Sequence, residues 1–494
     1  MSISDPNGHV LSPLDHSIPK VYFTFYLSFS LQQPEQGLGS LRSGTRKLTE
    51  VLPLITYDVV SSDIIFPENV HCIRPPSSST QSVSLLQVRD HFHESVTVLG
   101  SISTCTGDEE LEFSKKYAPL PTVLDPTQPQ PAMRFAANMM TDGILLGVSF
   151  NHLVFDGTGV GNILGVLSHC CSGTQSTADL HEVNMKLRQQ LCLENVTGKS
   201  VWKDFSATYS AESPLSCLPP AKCHSEIAPP LLESFRFNVP DQTIRRLKGV
   251  CTALLSTNHQ HETDVTSPDY ISCHDVLTSL LALCLRQDQA TALHQGEYTI
   301  SFAANLRPRM RPPWPDLYLG NMVAMLHVPQ SSLTEKVNIG KGIIAAHHLN
   351  MHNEDLIQVA NTAAAVRQEI RTLTDPHIRS LITYLQLQRD WGAMNIKGGH
   401  FSVTSLRHLN VYSFNFGRDL GMVADFCLHV GLLDGLLCVV LPKGQHKAWD
   451  IQFMLQEEQV EAVKTHRLFR WLMSECDGHV KHGYCASPLH GTMD

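Results

Sequence analysis

Five prolines fall within residues 211–232, AESPLSCLPPAKCHSEIAPPLL, with serine and alanine between them. Proline fixes φ and carries no amide hydrogen, so neither a helix interior nor a central strand tolerates that density. The stretch is read as a crossover linker spanning 206–232. It divides the 494 residues into two parts of similar size, 1–205 and 233–494. At roughly 100–200 residues per domain, each part is long enough to build its own core.

Both parts mix strand-like and helix-like patterns. VYFTFYLSFSL (21–31) alternates apolar residues with Ser and Thr, which reads as a strand, and LGSLRSGTRKLTEVL (38–52) has amphipathic helical spacing. RFAANMM and ILLGVSFN flank the turn TDG as a strand pair, and the second is apolar on both faces, the mark of a strand buried on both sides. VGNILGVLSHCC (160–171) then has helical spacing, with Thr158 as its expected N-cap. In the second part, SFRFNVPDQTIRRLKGVC reads as strand then helix, ISCHDVLTSLLALCLRQ (271–287) as a helix and YTISFAANL (298–306) as a strand. HFSVTSL and NVYSFNFG are expected as a strand pair, GLLCVVLP as a third strand and EEQVEAVKTHRLFRWLM as one final helix. The expected class is mixed α/β (α+β) in two domains.

The composition narrows the function classes. With 42% hydrophobic and 17% charged residues, the chain is ordinary globular material. A net charge of −10 argues against a nucleic-acid binder, which would present a basic surface. Fourteen cysteines without a CxxC pair suggest free thiols in a reducing compartment. MSISDPNGHV lacks the basic and apolar regions of a signal peptide, and the eleven-residue run at 21–31 is too short to span a bilayer as a helix. A cytoplasmic protein without membrane partners is expected, taken as a monomer.

The chemistry concentrates in FNHLVFDGTG (150–159). A histidine at the end of a buried strand is held rigidly yet can project into a cleft, and a pKa near 6.5 suits it to general-base work. Asp156 can orient that ring or point away to brace the loop, and Gly157 and Gly159 permit the sharp turn that either needs. From these ten residues alone, a hydrogen-bonded strand-end histidine and a helix-capping carboxylate remain the favoured explanation. A metal centre lacks a third and fourth ligand at recognisable spacing. His91/His93 and His348/His352 are read as surface histidines. No GxxxxGK[ST] loop, strand-borne GxGxxG or GxSxG elbow is present. A base without a nucleophile partner favours direct transfer to a substrate hydroxyl or amine.

HLVFDG resembles the HxxxDG motif of the BAHD acyltransferases, part of the chloramphenicol-acetyltransferase-like superfamily. Four further segments resemble family motifs in the family's order. They are LSPLDH (11–16), ISCHDVLTSLLA (271–282), NLRPRMRPPWPDLYLGNMV (305–323) with its terminal GN, and VTSLRHLNVYSFNFGRDLG (403–421), similar to the TSW…DFGWG region. Length and linker look closest to fungal members such as the trichothecene 3-O-acetyltransferases. The resemblance implies two similar domains with a channel and the active site between them. It implies acyl-CoA, acetyl-CoA foremost, as co-substrate without a permanently bound cofactor or metal. It also implies a small-molecule alcohol, or an amine, as acceptor in specialised metabolism.

By the same resemblance His152 is the general base and Asp156 pairs with Arg307 to hold the loop. Thr404 and Ser405 lie near the thioester, and Arg309 and Arg311 are candidates for CoA phosphates. Two departures stand out. Asn415-Phe416-Gly417 replaces Asp-Phe-Gly, removing a charge, and Arg418 replaces a large aromatic residue. A condensation-type catalyst fed by a carrier protein is the enzymatic alternative. There the motif is usually His-His-x-x-x-Asp-Gly, and Asn151 fills the first position. A non-catalytic binding member of the fold is the other.

Overall fold

The alternation in residues 22–30 is satisfied by burial on both faces of a sheet. In the computed structural model, Phe25, Leu27 and Phe29 pack into one apolar cluster with Ile144, Leu146 and Val148. Tyr26, on the opposite face, packs with Leu145, Phe113 and Tyr117. Period-two patterning therefore serves two cores at once. The structure describes residues 8–477 except 65, 77–83, 106, 122–129, 175–178, 194–204, 211–231, 259–269, 293–297, 330–348, 431–435 and 445–447.

Two main sheets carry the fold, with strands numbered in chain order. The five-stranded sheet has the order β10 (Asp425–Val430), β1 (Tyr22–Ser30), β5 (Gly143–Asn151), β4 (Met133–Met140), β2 (Leu86–His91). All its pairs are antiparallel except β2–β4. Every residue of β5 is buried, as its two-faced apolar reading required, and so is every residue of β4. The seven-stranded sheet has the order β8 (Val323–Pro329), β7 (Thr299–Asn305), β9 (Phe401–Ser405), β11 (Leu436–Val440), β12 (Ala448–Gln456), β6 (Leu232–Pro240), β3 (Thr104–Cys105). Strands β7, β9 and β11 run parallel. Helices α1 (Pro34–Val51) and α2 (Gly157–Ser172) pack against each other beside the first sheet, and α3 (Asp241–Asn258), α4 (Cys273–Ala292) and α5 (Asn353–Thr372) beside the second.

The two sheets exchange strands. β10, from the second half of the chain, pairs with β1 from Asp425↔Ser28 to Val430↔Phe23, while β3, from the first half, pairs with β6. Neither sheet is completed by one half alone, so backbone ladders fix the halves relative to each other. That rigidity matters for a site built from both. No helix among the described residues is long and apolar enough to cross a membrane.

Three expectations are corrected. The N-cap of α2 is Asp156 rather than Thr158, because the Asp156 carboxylate accepts the Gly159 amide at 2.7 Å. Residues 410–417 are not a strand. Val411–Ser413 form a 3-10 turn, and Gly417 adopts φ 96°, which closes a loop in which the Phe416 amide donates to the Gly421 carbonyl and the Gly421 amide to the Gly417 carbonyl. The expected last helix is two, Glu457–Thr465 and Arg467–Asp477, broken where His466 turns extended. The proline-dense residues 211–231 lie outside the described residues. Just before them, Tyr209–Ser210 pairs with Asn395–Ile396.

Candidate active site

The β5 ladder continues through His152, whose amide donates to the Val21 carbonyl at 3.0 Å. The chain then turns tightly. Asn151 accepts the Leu153 amide on its side chain (3.0 Å) and the Val154 amide on its carbonyl (2.9 Å). This turn carries the Phe155 carbonyl to 2.9 Å from His152 Nδ1. A carbonyl only accepts, so Nδ1 bears the proton and the neutral ring keeps its lone pair on Nε2. Phe23 packs on the imidazole, ring centroids 4.6 Å apart. Burial pushes the His152 pKa below the ordinary histidine value, partly countered by the Phe155 carbonyl and the Asp156 charge. The side chain is therefore a neutral base at neutral pH, fixed in one tautomer.

Asp156 does not hold the imidazole. Its carboxylate is fully buried and takes both terminal nitrogens of Arg307, Nη1 at 2.8 Å and Nη2 at 3.1 Å, besides the amides of Gly159 and Met322. Arg307, also fully buried, donates further to the carbonyls of Tyr318 (2.9 Å) and Gly320 (2.8 Å). The pair thus ties the start of α2 to the loop after β7, across 151 residues. Close approach there requires glycine. A β-carbon on Gly159 would fall 2.0 Å from the Leu319 carbonyl oxygen, while one on Gly157 would meet only the movable tip of the Leu406 side chain, at 2.7 Å.

A second buried network supports His152 from behind. Asp15 receives the Arg188 guanidinium at 2.8 Å and both nitrogens of Asn321 at 2.9 Å. The Asn321 amide also donates to the His152 carbonyl at 2.8 Å, and Arg188 donates to the Val154 carbonyl at 2.9 Å. Asp15 is set by a capping box with Ser12 at the start of helix Pro13–His16. Asp15, Arg188 and Asn321 were not singled out from the sequence as site residues. The signals were there for two of them, in the Ser-x-x-Asp of LSPLDH and the terminal Gly-Asn of 305–323. Arg188 lies on helix Leu180–Leu193, where no motif pointed to it.

The remaining candidates take no part in these two hydrogen-bond networks among the described residues. Thr404 and Ser405 end β9, both half-buried, alongside Val439 and Val440 of β11. Arg309 donates to the Ile370 carbonyl and Arg311 to those of Pro308 and Met310, while the Arg311 amide reaches Asp375. Asn415 is exposed and accepts the Gly417 amide at 2.9 Å, holding its own turn. A β-carbon on Gly417 would fall 3.1 Å from the Ser172 backbone. The departure from the aspartate therefore falls on a surface loop. No group of three or more metal-binding side chains occurs among the described residues, and His348 lies outside them.

Residues 97–469 match the Transferase family, and residues 20–171 match the trichothecene 3-O-acetyltransferase-like N-terminal domain. The chain belongs to the Transferase family, the BAHD acyltransferases. It is an acyltransferase. Among its BAHD relatives, the O-acetyltransferase andG of Emericella variicolor is 31% identical over 94% of this chain and 97% of that protein. The fumigaclavine B O-acetyltransferase easN of Aspergillus fumigatus is 30% identical, with the same 94% and 97% coverage. The fold is shared with TRI101 of F. sporotrichioides, solved with coenzyme A and T-2. That likeness has a TM-score of 0.70 at 17% identity and covers 94% of this chain and 98% of that one.

Proposed function

We propose that this BAHD enzyme transfers an acyl group, acetyl foremost, from acyl-CoA to a hydroxyl of a specialised metabolite, with His152 as general base. The names of its relatives andG and easN support O-acetyl transfer, and the coenzyme A bound by TRI101 supports the donor class. The observation that carries the base assignment is the His152 Nδ1–Phe155 carbonyl contact at 2.9 Å, which leaves the Nε2 lone pair available.

In the proposed reaction, Nε2 takes the hydroxyl proton as the acceptor oxygen attacks the thioester carbonyl. The tetrahedral oxyanion collapses, the carbon–sulfur bond breaks, and the departing thiolate takes the proton from Nε2. The histidine is regenerated without an acyl-enzyme. Thr404 and Ser405 are proposed to donate hydrogen bonds to the oxyanion or the donor's amide-bearing arm. Asp156 and Arg307 act as a brace. The domain bounds 1–205 and 233–494 are likewise proposed as the two walls of the site, each stitched to the other by the exchanged strands.

The test is thiol release from a panel of acyl-CoAs with candidate alcohols, for wild type and His152→Ala. Acceptor-dependent release that disappears in the variant supports the reading. Equal background release by both proteins with every acceptor contradicts it, and release only from an acyl-carrier protein would reassign the donor.

A further inference from the structure

Strands β7 and β9 lie side by side in parallel, and Thr299, which opens β7, and His400, just before β9, border a pocket of about 510 Å³. Thr299, His327, Pro329 and Lys397 through His400 contribute most of its wall, and no acidic side chain lines it among the described residues. The pocket is remote from His152. β7 starts at Thr299 in the pocket and reaches Asn305 beside Arg307 six residues later, roughly 20 Å along a strand.

Hydrogen bonding fixes what His400 offers and pairs His327 with a hydroxyl. The Thr299 amide donates to His400 Nδ1 at 3.0 Å, so Nδ1 is an acceptor and the hydrogen sits on Nε2. Tyr298 stacks on the same ring at 5.4 Å, holding its plane. At the second histidine, the Ser301 hydroxyl already accepts the Gly399 amide at 2.6 Å. It also lies 2.8 Å from His327 Nδ1, and where it gives its hydrogen to that nitrogen His327 carries its own on Nε2. That Nε2 is buried and has no hydrogen-bond partner among the described residues. A buried donor without a partner costs free energy unless a ligand or water satisfies it. Lys397 adds an ammonium whose contact with the Ser206 carbonyl at 3.0 Å uses one of its three hydrogens. The glycine between is required, because a β-carbon on Gly399 would fall 2.5 Å from the Ser301 hydroxyl and from the Thr299 carbonyl oxygen.

We propose that this pocket binds the anionic group of a small molecule, a carboxylate or a phosphate, through His327, His400 and Lys397. One N–H donor fixed on His400, the His327 ring and one cation, with no carboxylate among the described lining residues, suit an anion and not a cation. This site is independent of the assignment of His152.

The test measures the unfolding midpoint of the full chain in sodium phosphate, sodium acetate and sodium chloride at matched ionic strength. Wild type, Lys397→Met and His400→Phe are compared, and the ring nitrogens of ¹⁵N-histidine-labelled wild type are followed by NMR. Phosphate or acetate should raise the wild-type midpoint above its value in chloride and shift the Nε2 resonances of His327 and His400, identified by substitution. Each variant should keep its midpoint in chloride and weaken the specific anion response at least about tenfold, the share of one charge-assisted bond. A larger response to phosphate assigns a phosphoryl ligand, and a larger one to acetate a carboxylate. A wild-type response no greater than that to chloride, or a full response in both variants, overturns the proposal.

Discussion

Asp156 lies four residues from His152 yet gives both carboxylate oxygens to Arg307, at 2.8 and 3.1 Å. Both partners are fully buried. Removing one leaves the other charged, buried and unpaired, which is strongly destabilising, about 3–5 kcal/mol. Arg307→Met and Asp156→Asn are each expected to lower the unfolding midpoint sharply. The double variant is expected to lose clearly less than the sum, measured by denaturant unfolding as a double-mutant cycle. Additive losses would mean that the two residues act separately.

With His152 as the proposed base, its depressed pKa is expected to set the acid limb of catalysis. Burial favours the neutral ring, so the base form persists as pH falls through 6.5, the ordinary histidine value, and is lost only below it. The pH profile of kcat/KM is expected to show an acid-limb pKa below 6.5 in wild type. An acid limb above that value would contradict the environment described for the ring.

Asn321 acts on the histidine through its backbone. Its side-chain amide bridges Asp15 and the His152 carbonyl, at 2.9 and 2.8 Å. Asn321→Ala is expected to reduce kcat by about 10- to 100-fold, since small misplacements of a reacting group cost that much, with a much smaller change in KM. Steady-state kinetics on both substrates checks the split. The acid-limb pKa should stay below 6.5, because burial remains its main cause.

The N-terminal segment makes folding stability depend on pH. His16 is buried, accepts the His71 amide at 2.8 Å and has a pKa well below the ordinary value, while His71 is held down at about 4, both chiefly by burial. Between about 6.5 and 4 the unfolded chain binds more protons than the folded one, so stability falls as pH falls through this window. The slope is at most about 1.4 kcal/mol per pH unit for each such histidine. Unfolding midpoints from pH 7 to pH 4.5 check it, and His71→Gln should flatten the curve.

Much of the fold and part of the site were legible in the sequence. β5 announced itself through apolar residues on both faces, which only a sheet covered on both sides can satisfy. Residues 410–417 misled because their alternation of apolar and polar residues mimics a strand. The loop is set by Gly417 at positive φ and by the Asn415 side chain, contacts that alternation does not encode. The C-terminal break at His466 carried no proline or glycine to mark it. The pairing of β10 with β1 across nearly 400 residues, like that of Arg188 with Asp15, is a product of chain topology. The chain pattern near Asp425 or Arg188 contains nothing that names its partner.

The central claim divides the labour between one catalyst and one strut. Single-turnover acyl transfer by His152→Gln and Asp156→Asn, at a temperature where circular dichroism shows both folded, tests it most directly. The account predicts that His152→Gln loses about 10²- to 10⁴-fold in rate, the range for removing a general base, with little change in unfolding midpoint. Asp156→Asn should keep its rate within about tenfold while its midpoint falls, as the loss of a buried ion-pair partner requires. A rate loss in Asp156→Asn equal to that of His152→Gln, with an unchanged midpoint, would contradict the account.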